Sequence, residues 1–370
     1  MVSGRRQSNK SSRFDSAYLR IFLTGMLALV SLLGAAAQAQ QASGSGSLNA
    51  QLIAAVDNPQ DDSAIVRQLL QQGADPEARD NNGQTVLIHA VAKADGSVVR
   101  TLLEKGAKLE SKAEPEGRTA LINAVVYERV EIAQLLLAKG AAVDARNRDG
   151  WTALMFAASR GNLDLMKLLL AHRAQLEVAD PYGATALYQA AGDNQACAVK
   201  LLLDQGANLE AHNYEGATPL IAAAHNGHSA VVAALLQRGA QVEAKNESGA
   251  TALFHAAWGG HPEVAALLLD HHADVEACNQ AGVTPLIIAA RMGYLEVMEI
   301  LLARGAQLGS KDKAGRSALT TAAEEGDGEA VKFLLARGAH IDKLTLQAAK
   351  ASPEVAGILE AAQQKKPLNQ

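Results

Sequence analysis

The sequence is poor in aromatic residues, which make up 4% of 370 positions and include two tryptophans, and it has only two cysteines. With so few aromatics, the position of each one is informative. Catalytic signatures are missing as well: there is no P-loop, no dinucleotide-binding glycine fingerprint, no HExxH zinc motif and no GxSxG elbow. No enzyme activity and no cofactor are expected. A basic excess is also lacking. Residues 1–39 hold five basic side chains and one acid, so the remainder carries 29 basic against 38 acidic groups, a formal charge of −9. Such a surface does not suit nucleic acid, whose phosphates require neutralising cations.

The chain has one long uncharged run, IFLTGMLALVSLLGAAA from Ile21 to Ala37, preceded by Arg5, Arg6, Lys10, Arg13 and Arg20. Ala37 and Ala39 then stand at the small-residue positions of a cleavage site, which predicts a secretory signal peptide over residues 1–39 cut between Ala39 and Gln40. A periplasmic or secreted protein follows from this. The alternative is an uncleaved N-terminal anchor, but the apolar core is short for a span of about 20 residues. Arg5 and Arg6 lack the hydrophobic pair of a twin-arginine signal, which favours general secretion. Residues 40–47, QQASGSGS, form a flexible linker, and no membrane span is expected after cleavage.

From residue 83 a glycine followed by Thr or Ser and an apolar run recurs at Gly83, Gly117, Gly150, Gly183, Gly216, Gly249, Gly282 and Gly315, once at a spacing of 34 residues and six times at 33. A second series, LLxxGA or a near variant, runs in phase with it and ends at Gly73, Gly106, Gly140, Arg173, Gly206, Gly239, His272, Gly305 and Gly338. Asp or Asn lies three residues before the first glycine in seven of eight copies, the pattern of a type I turn. The Thr after it suits a helix N-cap, and Pro219 and Pro285 suit the first helical position.

Together these features resemble the ankyrin repeat, with Thr218-Pro219-Leu220 and Thr284-Pro285-Leu286 nearest to its TPLHxA signature; the usual histidine after the leucine is absent in every copy. The resemblance covers about residues 47–362. It implies an all-α solenoid of stacked helix pairs joined by short β-hairpin turns: about nine repeats over 48–362 with C-terminal capping helices, and a disordered tail at 363–370. In GWTALMFAASRGN, residues 150–162, Ala153, Leu154, Ala157 and Ala158 fall on one face of the first helix. Leu168, Leu169 and Leu170 are expected to supply the bulk of the core from the second. A left-handed C-cap follows, which costs about 1 kcal/mol each at Arg173 and His272, where glycine is missing.

The resemblance also implies a non-catalytic protein-binding module, expected as a monomer, whose partner docks on a concave side made of hairpin tips and the ends of the first helices. By register those slots hold Tyr127, Trp151, Tyr182, Tyr214 and Trp258, five of the seven Trp and Tyr residues after residue 39. They also hold Arg118, Arg148, Arg160, Arg291 and Arg316, and His225 with Asn226 extends the set. Aromatics and arginine are the types enriched at interface hot spots. The plainer alternative is that hairpin tips are where large side chains find room. The slot of Trp151 varies freely among copies, which makes it the first residue to truncate.

No metal is expected. His228 and His261 occupy an inter-helix turn, and neither His225-x-x-His228 nor His271-His272 has a third ligand at fixed spacing. Cys197 and Cys278 lie more than two repeats apart, beyond disulfide reach, in slots that are often polar elsewhere; tolerated, partly exposed thiols are expected.

Overall fold

The computed structural model describes residues 48–57, 63–93 and 96–364. The expected signal peptide, the cleavage site at Ala37, Ala39 and Gln40, the linker at 40–47, and residues 365–370 lie outside the described residues.

The described residues form nine consecutive helix pairs and a closing pair. The first helices of successive pairs are Leu48–Asp57, Val86–Lys93, Ala120–Val126, Ala153–Ser159, Ala186–Gly192, Pro219–His225, Ala252–Gly259, Pro285–Met292 and Ala318–Glu325. Each runs into a second helix, from Ser63–Gln71 in the first pair to Gly328–Ala336 in the ninth. The closing pair is Lys343–Ala348, extended by a short 3-10 turn at Ala349–Ala351, and Pro353–Gln364. That last helix ends two residues beyond the expected position.

Local chemistry fixes each boundary. Thr119, Thr152, Thr185, Thr218, Thr251, Thr284 and Ser317 cap the first helices, each hydroxyl accepting from the backbone N–H three residues on. Pro219 and Pro285 sit in the first turn, where a missing N–H leaves nothing unpaired.

The hairpins are shorter than the expected β-hairpin turns. Among the described residues there is no strand, only isolated bridges between Arg79 and Thr85 and between Ala113 and Arg118. The cause is the adjacent cap: the Asn147 N–H bonds the Trp151 carbonyl at 3.0 Å, and Thr152 then begins the helix, so no second rung can form.

The core also differs in detail. In the second helix Leu163–Ala171 the buried residues are Leu165, Met166 and Leu169, while Leu168 and Leu170 are only partly buried. A run of three leucines spans too wide an arc of a 3.6-residue helix for all three to face inward. On the first helix, Ala153, Leu154, Ala157 and Ala158 are buried as expected, with Met155 and Phe156.

Two kinds of glycine explain which copies tolerate substitution. At Gly150, with φ +76°, an added Cβ would lie 2.5 Å from Cδ of Pro181 in the next repeat, so both conformation and space demand glycine. At the helix C-cap Gly206, with φ +89°, a Cβ would meet nothing within 4 Å. Only conformation favours glycine there, and Arg173 and His272 occupy the equivalent places at φ +64° and +67°. The inter-helix turn has two more such residues, Glu128 and Asn194 at φ +57° and +61°, in a slot the sequence reading did not single out.

Repeats are tied by a ladder of acids. Glu77 accepts from the Lys108 N–H at 2.7 Å, and Glu110, Asp144, Glu177, Glu210, Glu243 and Glu276 accept from Ala142, Gln175, Asn208, Gln241, Asp274 and Gln307. The next position in this series is Gly309. Part of the acidic excess is therefore structural.

Because the strain at Arg173 and His272 is conformational alone, Arg173→Gly and His272→Gly should each stabilise the chain by about 1 kcal/mol. Thermal melting should show a rise of a few degrees for each and a summed effect in the double variant, since the sites are far apart.

Candidate functional site

The first helices, each entered from a hairpin, pack in one row along one side of the stack. Neighbouring first helices, rich in alanine, pack more extensively against one another than neighbouring leucine-rich second helices do. Three groups of side chains stand on this side.

The hairpins themselves are held by the Asp or Asn before the glycine. Asp180 Oδ1 accepts from the Tyr182 and Ala184 N–H groups at 2.8 and 3.0 Å, and Oδ2 accepts from Gln189 Nε2 at 3.2 Å on the following helix. This presents Tyr182 outward. The Tyr214 N–H bonds the Tyr182 carbonyl at 2.7 Å, and the Tyr214 ring lies over Gly183, so the two tyrosines are neighbours at successive tips, 74% and 71% exposed.

The second group centres on Phe156. Trp151 packs on it with ring centroids 4.9 Å apart, and the guanidinium carbons of Arg118 and Arg160 lie 5.7 and 5.9 Å from its centroid. Trp151 is thus half-buried and not a free projection from the tip. Burial lowers the Arg160 pKa, Arg118 lowers it further, and Glu128 partly offsets them. Tyr127, 46% exposed, occupies the slot equivalent to Arg160 one repeat earlier.

The third group joins His225, His255 and Trp258. Asn246 Oδ1 accepts from the Ser248 N–H, the Ser248 hydroxyl and the Ala250 N–H, which fixes the amide orientation. Its Nδ2 therefore donates to His255 Nε2 at 3.1 Å. Accepting at Nε2 leaves His255 with its proton on Nδ1, directed at His225 Nδ1 at 3.4 Å. The Trp258 ring packs edge-on to His225 at 5.6 Å and tilted to His255 at 5.8 Å, and is 41% exposed. Burial, and then His225, push the His255 pKa down to about 4; burial and His261 lower that of His225. His228 and His261 serve the scaffold, donating to the Gly192 and His225 carbonyls at 2.9 Å.

The remaining predicted residues are engaged within the fold or stand apart. Arg148 pairs with Glu114 across the repeat boundary. Arg316 pairs with the buried Asp312 at 2.7 Å and with Glu324 at 3.4 Å. Arg291 lies in the last turn of its helix, outside the three groups. Phe156 and His255 were missed by the sequence reading. Both sit six residues after the hairpin glycine, a slot that reads His89, Asn123, Phe156, Gln189, Ala222, His255, Ile288 and Thr321, and that variety was the available signal.

A family model for ankyrin repeats in three copies matches residues 52–147, 137–213, 189–278 and 267–345. The chain belongs to the ankyrin-repeat family. A comparison with curated proteins finds no match. Ankyrin repeats indicate a protein–protein interaction module, and proteins built from them are generally non-catalytic. No helix among the described residues is long and apolar enough to cross a membrane.

A depressed histidine pKa means that the unfolded chain takes up a proton that the folded site refuses. The stabilising contribution is present above about pH 6.5 and is lost as pH falls toward the folded value near 4, by up to about 3 kcal/mol. His255→Gln keeps an acceptor for Asn246 and removes the titration. The stability of wild type relative to this variant, from denaturant titrations at pH 7.5 and 4.5, should fall on acidification. His89, whose pKa is raised between Asp57 and Asp80 despite burial, acts in the opposite sense and cancels in the comparison.

Proposed function

We propose that this ankyrin-repeat protein is a non-catalytic binding module of the bacterial periplasm that holds a partner protein on its concave face, as an inhibitor, an immunity protein or a protective subunit of an envelope enzyme. The observation that carries the reading is the distribution of exposed aromatics. Tyr127, Tyr182, Tyr214 and Trp258 are the large aromatics exposed among the described residues, and all four stand on the hairpin and first-helix side. Leaving several such rings in water on one face is costly unless a partner covers them. Arg148, Trp151, Arg160, His225, Arg291 and Arg316 belong to the proposed contact surface by register.

Each repeat is clamped to its neighbours, so the face is preformed and binding requires little ordering of backbone. The two most exposed rings, Tyr182 and Tyr214, adjoin at neighbouring tips, and Trp258 lies further along the stack. A partner engaging both must be protein-sized. The compartment rests on the leader-like N-terminus, residues 1–39.

In affinity capture from envelope extract with the full chain, Tyr214→Ala/Trp258→Ala should reduce recovery of the principal partner at least about tenfold, because hot-spot truncations cost 2 kcal/mol or more. Unchanged recovery would place the contact face elsewhere and favour a scaffold that tolerates loss of single contacts. N-terminal sequencing of the protein from the envelope fraction should begin at Gln40. An intact N-terminus would mean an uncleaved anchor, and mature protein in the medium would mean an exported effector.

A further inference from the structure

Two arginines from consecutive repeats converge on one ring. Arg118 follows the hairpin glycine of one repeat, and Arg160 caps the first helix of the next; both guanidinium carbons lie within 6 Å of the Phe156 centroid. Neither side chain makes an ion pair or hydrogen bond among the described residues, although the chain is acidic and Arg148, Arg238, Arg304, Arg316 and Arg337 all have carboxylate partners. Two like charges held together on an apolar floor repel each other unless an anion lies between them.

Two buried donors in the same repeat are also unpaired: Arg118 Nε and Asn123 Nδ2, the latter on a residue only 3% exposed. The origin of the Asn123 orphan is legible. Its slot faces the hairpin Asp or Asn in other copies, where His89 meets Asp80, Gln189 meets Asp180 and His255 meets Asn246. In this copy the hairpin is built differently: the Gly117 N–H bonds the Ala113 carbonyl at 2.7 Å, and Glu114 turns to Arg148. The acceptor that other repeats supply internally is missing here. Buried donors without acceptors are rare and costly, and call for a partner.

We propose that the Arg118–Phe156–Arg160 site receives a carboxylate side chain, Asp or Glu, from the bound protein. This rests on the protein-binding reading above. A carboxylate fits the two arginines because its two oxygens accept in one plane from guanidinium forks, while the apolar stem of Glu lies against the half-buried Trp151, which packs on the buried Phe156 ring. Ion pairing there relieves the arginine–arginine repulsion, so the site selects for acidic residues and against basic ones.

The test is selection of a displayed library of random, terminally capped peptides on the full chain and on Arg118→Gln/Arg160→Gln, with melting temperatures confirming that both are folded. Wild type should enrich peptides with Asp or Glu at one fixed position, and the double variant should lose that preference. In the best peptide, Glu→Gln should weaken binding to wild type at least about tenfold and leave binding to the variant unchanged. An acidic position selected equally by both proteins, a consensus without one, or tighter binding when phosphoserine replaces the glutamate would overturn the carboxylate assignment. A consensus that depends on Trp258 and Tyr214 but not on the arginines would sink this inference and leave the protein-binding reading intact. No consensus on either protein would count against both.

Discussion

The structure depends on a clasp made by one short side chain in most repeats. In Asp80, Asp180, Asn213, Asn246, Asn279 and Asp312, Oδ1 accepts from the backbone N–H groups two and four residues on, closing the hairpin. The other terminal atom grips a helix in most of these copies, or Arg316 in the last. The choice between Asp and Asn follows the partner. Asp80 and Asp180 accept from His89 and Gln189, whereas Asn213 and Asn246 donate to the Tyr188 hydroxyl and His255 Nε2. These pairs are buried or nearly so, where a mismatched pair of donors or acceptors costs far more than in water.

This rule accounts for which slots are constant and which are free. The glycine three residues later is fixed by its positive φ and by the next repeat pressing on it, as Pro181 presses on Gly150. The residues immediately around it carry no such demand, so the sequence spends them on Trp151, Tyr182 and Tyr214. Where the clasp is missing, at Ala113 to Gly117, the consequences appear one turn into the helix, at Asn123, and across the repeat boundary, at Arg148. A local departure in turn chemistry thus produces both an orphaned donor and a rerouted ion pair.

The period, the helix caps, the hairpin turn and the number of helix pairs were all legible in the sequence, because each rests on interactions among residues a few positions apart. What could not be read was anything decided between repeats. The acid ladder from Glu77 to Glu276 joins groups 31 or 32 residues apart, and a charge count sees only its net sign. Trp151 had the right address but the wrong surroundings: its neighbour Phe156 lies one turn along the same helix, and only the fold shows that two arginines share that ring. His225 and Trp258 were found by register, whereas the link between them, His255, was not, because a histidine at a helical core slot carries no sign of what it faces.

The hairpin and first-helix side owes its form to a difference in side-chain size between the two helices. Ala157, Ala158, Ala190, Ala191, Ala223 and Ala224 are buried where first helices meet, and allow their backbones to approach closely. Second helices bury the larger Leu169, Leu202, Leu235 and Leu268 and pack less extensively on one another. Repeated along the stack, this inequality keeps the first helices, and whatever they carry, closely packed. Side chains from adjacent repeats meet on this side, as Arg118 and Arg160 do at Phe156 and His225 and Trp258 do with ring centroids 5.6 Å apart. The alanines set the spacing between successive first helices, so enlarging one of them would separate the side chains those helices carry without altering any exposed aromatic on that side.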